Sequence, residues 1–271
     1  MADKKTVIIT GAANGIGRAT ALRFASEGHD LCLADLDEAG LKNLQSVISA
    51  EYNSEPLICC GDLAEEKFLK EIVELTAAKF NSIDVLVNNA AWRTIETMRT
   101  ISMDTWEKTL KICVTAPAFL SKMSAEVMEK NNSGGVIINV SSMMADRPAG
   151  NSPAYIASKG AIESLTRELA VTYGRSGIRV LCIKPGFIDT GLSLDYKDQA
   201  GDDLTGFLSK YLLDATPVNR AGTPNDVAEA IIWLCTSQAS FISGTSLMID
   251  GGFTTNMNSY QLKGKQFPKE Y

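Results

Sequence analysis

The sequence contains few of the residues that build metal sites or disulfide frameworks. Its 271 residues include one histidine, His29, and six cysteines, none of which belongs to a Cys-x-x-Cys pair. We therefore expect no metal site, and we interpret the cysteines as reduced packing residues of a cytoplasmic protein. His29 stands between a helix pattern and a strand pattern, where we expect a surface loop residue and not a ligand.

Long apolar runs and basic clusters are absent as well. No run approaches the ~20 residues that a membrane-spanning helix needs, and the N-terminal Met-Ala-Asp-Lys-Lys does not have the pattern of a signal peptide. Lysine and arginine number 26 against 32 aspartate and glutamate, which gives a net charge of −6. We expect neither a membrane nor a nucleic acid as a partner. The 45% of hydrophobic residues suffice for a packed core.

Short apolar, β-branched runs alternate with helical patterns along the chain. The runs lie at 6–10, 30–35, 57–60, 84–88, 135–141, 178–183 and 246–249. This alternation predicts one α/β domain in which a parallel sheet is covered by helices on both faces. In such sheets, ligands bind at the carboxyl ends of the strands.

A glycine-rich turn follows the first run at once, with Gly11, Gly15 and Gly17 in the spacing Gly-x-x-x-Gly-x-Gly. Such a turn presents backbone N–H groups and a helix N-terminus to a pyrophosphate. Asp35 ends the second run, where a carboxylate can bind ribose hydroxyls and repel a 2′-phosphate. The pattern predicts a nicotinamide dinucleotide, with NAD favoured over NADP. The alternative is that Asp35 or Asp37 only caps the next helix.

Three polar residues follow the fifth run. Ser142 lies at its carboxyl end, and Tyr155 and Lys159 are four residues apart on a helix that Pro153 begins, so they share one face. A tyrosine ordinarily ionises near pH ~10, and a neighbouring ammonium favours the phenolate. The serine hydroxyl could donate to a carbonyl or alkoxide oxygen. Taken alone, a Tyr-x-x-x-Lys pair is more often an ordinary helix-surface pair.

Together these stretches resemble the short-chain dehydrogenase/reductase family over nearly the whole chain. The resemblance is carried by residues 10–17, Asp62, 88–90, Ser142, Tyr155, Lys159, Pro185, Gly186 and Thr190. It implies a single-domain, Rossmann-like, doubly wound sheet of seven strands at 1–253, usually in a homodimer or homotetramer. It implies that Tyr155 is the acid/base, that Lys159 supports it and binds the nicotinamide ribose, and that Ser142 polarises the substrate oxygen.

The resemblance also implies the cofactor contacts and the reaction. Asp62 would contact adenine, and 185–190 would hold the nicotinamide end. The complete expected set is Gly11, Asn14, Gly15, Ile16, Gly17, Asp35, Leu36, Asp62, Leu63, Asn89, Ala90, Tyr155, Lys159, Pro185, Gly186, Ile188 and Thr190. The reaction would be hydride exchange between the cofactor and a secondary alcohol or ketone.

Two positions depart from the family pattern. Cys113 stands seven residues after Trp106, where the family usually has an asparagine that supports a proton-relay water. Because a thiol is a poor substitute for an amide, we expect a weakened or rerouted relay. Ala91 replaces a common glycine, a change that we expect to be tolerated.

The substrate is the least determined part of the prediction. Residues expected to face it are Trp92, Arg93, Met143, Met144 and Arg147, together with a polar, weakly periodic segment at 191–215 that has the composition of a flap. We predict a small hydroxylated substrate such as a sugar or polyol. One alternative is an NADP-dependent 3-oxoacyl (acyl-carrier) reductase. Another is a cofactor-binding sensor or scaffold with weak catalysis, which only Cys113 suggests.

The chain continues past the Asp-Gly-Gly at 250–252, where family members commonly stop. This C-terminal extension, 254–271, is polar but contains Tyr260, Leu262, Phe267 and Tyr271. We do not expect a tail of this composition to be ordered by itself. We expect it to pack on its own or a neighbouring subunit, at the rim of the substrate pocket.

Overall fold

Seven strands form a single sheet at the centre of the computed structural model, which describes residues 4–190 and 201–271. They are β1 (Thr6–Thr10), β2 (Asp30–Asp35), β3 (Leu57–Cys60), β4 (Val85–Asn88), β5 (Gly135–Val140), β6 (Ile178–Pro185) and β7 (Ser246–Ile249). Their order is β3-β2-β1-β4-β5-β6-β7, and all neighbours are parallel. The predicted doubly wound α/β sheet is therefore confirmed.

Helices connect successive strands and pack on both faces of the sheet. They are α1 (Gly15–Ser26), α2 (Glu38–Tyr52), α3 (Glu66–Phe80), α4 (Met103–Leu110), α5 (Ala116–Asn131), α6 (Pro153–Tyr173), α7 (Thr205–Ala215), α8 (Pro224–Leu234) and α9 (Tyr260–Gln266). Within the described residues, no helix is both long and apolar enough to cross a membrane.

Local sequence explains where several helices begin. The Asp37 carboxylate accepts from the Gly40 amide at 2.9 Å and caps α2. Thr223 and Asp226 form a reciprocal capping box at the start of α8. Pro153 is the first residue of α6, where its fixed φ and missing N–H cost nothing.

The core has two halves because alternate residues of each strand point to opposite faces. Val7 and Ile9 of β1 belong to one cluster, with Phe24 of α1. Ile8, between them, belongs to the other, with Ile72 of α3. Strands buried on both faces are mostly apolar, which is why the short strands were recognisable as largely apolar runs.

A row of buried, hydrogen-bonded polar side chains runs from β4 through β5 to α6. Asn88 and Asn139 are paired residues of β4 and β5. The Asn88 amide donates to Asn139 Oδ1 at 2.9 Å, and the Asn139 amide donates to Thr166 Oγ1 on α6 at 3.0 Å. These amides therefore tie two central strands to one another and to the helix that carries Tyr155.

The structure differs from expectation in the long helical region at 105–129. It consists of α4, a π-helical segment at Lys111–Thr115 and α5. The Ala116 amide donates to the Lys111 carbonyl, five residues earlier, which is the π pattern. The π segment contains neither glycine nor proline, so no helix-breaking residue marked it in the sequence; such segments are frequent at functional sites.

The prediction that His29 is a surface loop residue is wrong. Its side chain is buried, its Nδ1 accepts from the Lys5 amide at 3.1 Å, and its ring lies 5.6 Å from that of Phe24. Burial lowers the pKa of His29, with the Glu27 carboxylate acting in the opposite direction. The imidazole therefore packs in the core and accepts a hydrogen bond beside the amino-terminal ends of β1 and β2.

Only part of the predicted flap at 191–215 belongs to the residues that the structure describes. Residues 191–200 lie outside the described residues, whereas Thr205–Ala215 forms helix α7. Leu208 and Leu212 are half-buried one turn apart, and Ala215 is buried. The buried side of the helix thus has few apolar residues, and the large apolar residues Phe207 and Tyr211 are exposed. This explains why the segment appeared only weakly periodic.

Candidate active site

The carboxyl ends of the central strands surround a cleft of about 550 Å³. The cleft is lined by the glycine turn after β1, the ends of β2 and β3, the segment after β4, the end of β5, the first turns of α6 and the segment after β6. This is the place where open parallel sheets bind ligands.

The glycine turn is compact because no side chain fits in it. Gly11 has φ +64°, and a Cβ there would lie 2.8 Å from Ala90 Cα. A Cβ on Gly17 would overlap the Gly11 carbonyl oxygen. The Asn14 side chain makes no capping hydrogen bond to α1, so the first amides of the helix are not covered by it. The turn therefore has the shape and the polarity of a pyrophosphate cradle.

The side chains of Thr10, at the end of β1, and Asn89, directly after β4, hold this turn against the sheet. Asn89 Nδ2 donates to the carbonyls of Thr10 and Gly11 at 2.9 and 3.0 Å. In return, Thr10 Oγ1 accepts from the amides of Asn89 and Ala90, both at 3.1 Å. The ends of β1 and β4 are thus joined by four hydrogen bonds, which set the position of the cradle relative to the rest of the cleft.

Asp35 and Asp37 have different roles. Asp37 caps α2, whereas Asp35 lines the cleft. The Asp35 carboxylate accepts from the amides of Ala13 and Asp37 at 2.9 and 3.0 Å. Since an ionised carboxylate has about four acceptor positions, it retains capacity for ribose hydroxyls. Within the described part of the chain, no basic side chain lines the cleft beside Asp35 and Leu36.

Asp62 and its neighbours form the next part of the wall. Asp62 Oδ1 accepts from the Ala64 amide at 2.9 Å, so the carboxylate stabilises its own turn while facing the cleft with Leu63. A Cβ on the preceding Gly61 would lie 2.5 Å from the Phe68 ring. Gly61 therefore lets β3 end close to α3 and leaves the wall flat.

Ser142, Tyr155 and Lys159 lie together at the other end of the cleft, and all three are buried. Lys159 Nζ donates to the Val140 carbonyl at 2.7 Å and lies 5.3 Å from the centroid of the Tyr155 ring. Ser142 Oγ accepts from the Met144 amide at 3.1 Å. That bond uses one lone pair of the serine oxygen, and its O–H can still donate into the cleft.

Tyr155 also packs against apolar side chains. Tyr155 belongs to a small cluster with Ile112 and Cys113, against which Trp92 and Met144 pack. The Lys108 ammonium lies 4.6 Å from the Trp92 ring centroid. A flat aromatic wall with a cation beside it suits the apolar face of a small ring or chain.

The Cys113 thiol makes two hydrogen bonds to the backbone of Trp92. Its Sγ lies 3.5 Å from both the amide nitrogen and the carbonyl oxygen of Trp92, accepting from one and donating to the other. The thiol is buried within the π segment. These two contacts join the backbone of Trp92 to the π segment.

Comparison with known proteins agrees with this geometry. A family model described as enoyl-(acyl carrier protein) reductase matches residues 11–254. The chain is 32% identical to the short chain dehydrogenase/reductase astE of Aspergillus oryzae, over 92% of this chain and 95% of that protein. The chain belongs to the short-chain dehydrogenase/reductase family. It is therefore an oxidoreductase that acts on alcohol or ketone groups.

Two solved structures illustrate the range of this family. L-sorbose reductase from Gluconobacter frateurii, complexed with NADPH and L-sorbose, has a TM-score of 0.87 at 28% identity, covering 94% of this chain and 98% of that one. The 3-ketoacyl-(acyl-carrier-protein) reductase from Brucella melitensis, complexed with NADH, has a TM-score of 0.83 at 30% identity, covering 94% and 100%. Similar folds thus accept either nicotinamide cofactor and unlike substrates.

Most of the residues expected to contact the cofactor or the substrate line the cleft. Gly17 does not, since it packs behind the turn, and neither do Arg93, Met143, Met144 and Arg147. The cleft also includes residues that sequence reasoning did not select, namely Gly61, Ala91, Ile112, Val140 and Ser141. Each is a neighbour of a selected residue or an apolar residue within a long core pattern, so no sequence signal separated it from the core.

Arg147 binds the C-terminal tail. Its Nη1 donates to the carbonyls of Phe253 and Asn256 at 2.9 and 3.2 Å, and its guanidinium lies 4.9 Å from the Phe253 ring centroid. Asn256 Nδ2 donates to the Ala215 carbonyl at 2.7 Å, and Asp214 Oδ1 accepts from the Gln261 amide at 3.0 Å. The tail therefore packs on its own chain, between the segment after Ser142 and α7.

Proposed function

We propose that this short-chain dehydrogenase/reductase exchanges hydride between NAD and a secondary alcohol or ketone. The observation that carries the proposal is that one cleft is lined by Asp35 at one end and by Ser142, Tyr155 and Lys159 at the other. The glycine cradle lies between them. This arrangement fits a dinucleotide whose ribose, pyrophosphate and nicotinamide are recognised in turn.

The proposed mechanism assigns one step to each polar side chain. NAD, when bound, supplies the hydride acceptor, and its reduced form supplies the donor. The Tyr155 hydroxyl transfers the proton to or from the substrate oxygen. The Lys159 ammonium, held by the Val140 carbonyl, stabilises the phenolate and binds ribose hydroxyls. Ser142 donates a hydrogen bond to the same substrate oxygen and stabilises the charge that develops there.

We propose that Cys113 supports the wall of the cleft and takes no part in proton transfer. Its thiol already bonds both polar groups of the Trp92 backbone. The proton then leaves Tyr155 by water and backbone groups in place of an asparagine side chain. On this view, catalysis persists in the wild type and does not require Cys113→Asn.

We propose a small hydroxylated substrate such as a sugar or polyol. Trp92 offers a flat surface on which the C–H face of a sugar ring can stack, and the similarity to L-sorbose reductase supports the same class. The similarity to 3-ketoacyl-(acyl-carrier-protein) reductase keeps 3-oxoacyl reduction as the second candidate.

The domain organisation, the location and the oligomeric state of the enzyme are also part of the proposed function. We propose one catalytic domain at 1–253 with an extension at 254–271, acting in the cytoplasm as a homodimer or homotetramer with a small-molecule substrate. Sedimentation velocity of the purified chain measures the number of subunits, and a monomer over the whole concentration range would refute the oligomer.

The experiment is a turnover assay at the absorbance band of the reduced nicotinamide. NAD and NADP are each tested with sugars, polyols, hydroxy acids and sterols, and their reduced forms with acetoacetyl thioesters. Tyr155→Phe, which keeps the ring and removes the hydroxyl, is the matched blank. NAD-dependent turnover that disappears in Tyr155→Phe supports the proposal. NAD binding without turnover in the wild type, with turnover appearing in Cys113→Asn, would favour the sensor or scaffold instead.

A further inference from the structure

A second cluster of charges lies directly behind the cleft, centred on Lys184. This lysine stands in β6, one residue before the cleft-lining Pro185, and it is only 5% exposed. Its Nζ lies 2.6 Å from Asp146 Oδ2 and 2.8 Å from Glu163 Oε1. One ammonium thus bridges two carboxylates that belong to different segments of the chain.

Glu163 connects this ammonium to α6 and to the end of β5. It lies one helical turn beyond Lys159 and two turns beyond Tyr155 on the same helix. Its Oε1 lies 3.0 Å from the hydroxyl of Ser141, the neighbour of Ser142. Glu163 therefore links the helix that carries the proposed acid/base to the strand end that carries Ser142.

Asp146 connects the ammonium to the turn that follows Ser142. In this turn the amides of Ala145 and Asp146 donate to the carbonyls of Ser142 and Met143 at 3.1 and 3.0 Å. The Met144 amide donates to Ser142 Oγ itself. Displacement of Asp146 would therefore move a group that orients the Ser142 hydroxyl.

The energetics make Lys184 the central charge of this cluster. Burial alone would lower the pKa of the Lys184 ammonium, but its hydrogen bonds to Asp146 and Glu163 outweigh burial and raise the pKa. The lysine stays charged between two carboxylates. Without the ammonium, the carboxylates repel each other, and Asp146, whose side chain is half exposed, has a path to solvent.

We propose that Lys184 is a positioning residue that fixes the Ser142 hydroxyl relative to Tyr155, by anchoring the turn at 143–147 and helix α6 to the same strand. The effect on catalysis rests on the proposed function above, whereas the anchoring does not. Two readouts separate the two statements: amide hydrogen exchange of the turn, which needs no substrate, and steady-state kinetics.

The test compares Lys184→Met with Arg179→Met. Arg179 lies on the same strand, and its guanidinium donates to the carbonyls of Leu234, Thr236 and Ile242 away from the cleft, so its loss is a matched structural control. Asp146→Asn, a change at a half-exposed side chain, serves if Lys184→Met does not fold. Lys184→Arg keeps the positive charge and tests whether that charge is enough to retain kcat.

We expect amide protection at 144–147 to fall by about tenfold in Lys184→Met and Asp146→Asn and to stay unchanged in Arg179→Met. We expect kcat to fall by about 10- to 100-fold in Lys184→Met while the Kd of NADH stays within about twofold, because geometry is lost and cofactor contacts are not. Lys184→Arg should recover part of kcat.

Unchanged protection of the turn in both Lys184→Met and Asp146→Asn overturns the proposal. So does an equal loss of kcat in Arg179→Met, which would show a general effect of destabilising β6. If the wild type turns over no substrate of the panel, the proposed function fails, and hydrogen exchange still decides whether Lys184 anchors the turn.

Discussion

The charge of Asp35 should decide which nicotinamide cofactor this protein binds. We expect Asp35→Asn to weaken NADH binding and strengthen NADPH binding, because the carboxylate accepts ribose hydroxyls and repels a 2′-phosphate. The matched control is Asp37→Asn, which removes the same charge two residues later from a side chain that caps α2 and does not line the cleft.

The magnitude follows from the position of the carboxylate. A carboxylate about 5 Å from a phosphate repels it by about 3 kcal/mol at an effective dielectric constant of about 20. Asp35 is half-buried at the edge of the cleft, so screening by solvent and salt reduces this to about 1–2 kcal/mol. Loss of a charged acceptor for the ribose adds about 0.5–1 kcal/mol against NADH. The ratio of the two Kd values should therefore change by about 10- to 100-fold.

Fluorescence titration with NADH and NADPH measures this ratio without a substrate. The side-chain nitrogen that Asp35→Asn introduces would face one of the two backbone amides that now donate to the carboxylate, so we also expect a loss of about 1 kcal/mol in unfolding free energy. A Kd ratio that stays within about twofold of the wild type, or an equal change in Asp37→Asn, would refute the reasoning. The change should also shrink as salt is added, since the interaction is electrostatic.

Three further predictions concern stability and the tail. Gly17→Ala should destabilise the fold by about 1–3 kcal/mol and weaken NADH binding, because the new Cβ overlaps the Gly11 carbonyl; thermal unfolding and titration check this, and an unaltered Tm would contradict it. Arg147→Ala should make the tail more sensitive to limited proteolysis, since it removes the donor to the carbonyls of Phe253, directly before the tail, and Asn256 within it; a wild-type cleavage rate would show that the other contacts suffice. Asp226→Asn should destabilise the protein at neutral pH and less so below about pH 4. Hydrogen bonding to Arg220 and Thr223 holds the pKa of the Asp226 carboxyl well below its usual range, so its contribution is present above the unfolded pKa and is lost as pH falls; an unfolding free-energy difference that does not depend on pH would contradict this.

The strands were predictable to within a residue or two because of where they lie in the sheet. Strands covered on both faces, such as Thr6–Thr10 and Val85–Asn88, are buried throughout and mostly apolar, so they stand out from the polar connections. Parallel strands also place their carboxyl ends on one edge. That rule alone predicts that the glycine turn, Asp35 and Ser142 line a common cleft.

Features that depend on which segments meet could not be predicted. Arg147 was expected at the substrate because it follows Ser142, but its contacts are with a tail more than a hundred residues later. Lys184 has the sequence environment of an ordinary strand end, and its importance appears only when Asp146 and Glu163 converge on it. Such long-range polar contacts leave no periodic signal in the chain.

The buried pair of Asn88 and Asn139 has a consequence for how accurately the cleft is assembled. A shift of β4 against β5 by one residue would turn these two side chains to opposite faces of the sheet, so their hydrogen bond forms in only one alignment. A slip would break the hydrogen bond from Asn88 to Asn139 and leave the buried Asn139 Oδ1 without its donor, at about 1–3 kcal/mol. Asn89 directly follows one of these amides, and Ser142 stands three residues after the other. The pair therefore sets the height at which both residues emerge from the sheet, and a well-packed apolar pair in its place would strengthen the sheet while loosening the alignment of the cleft.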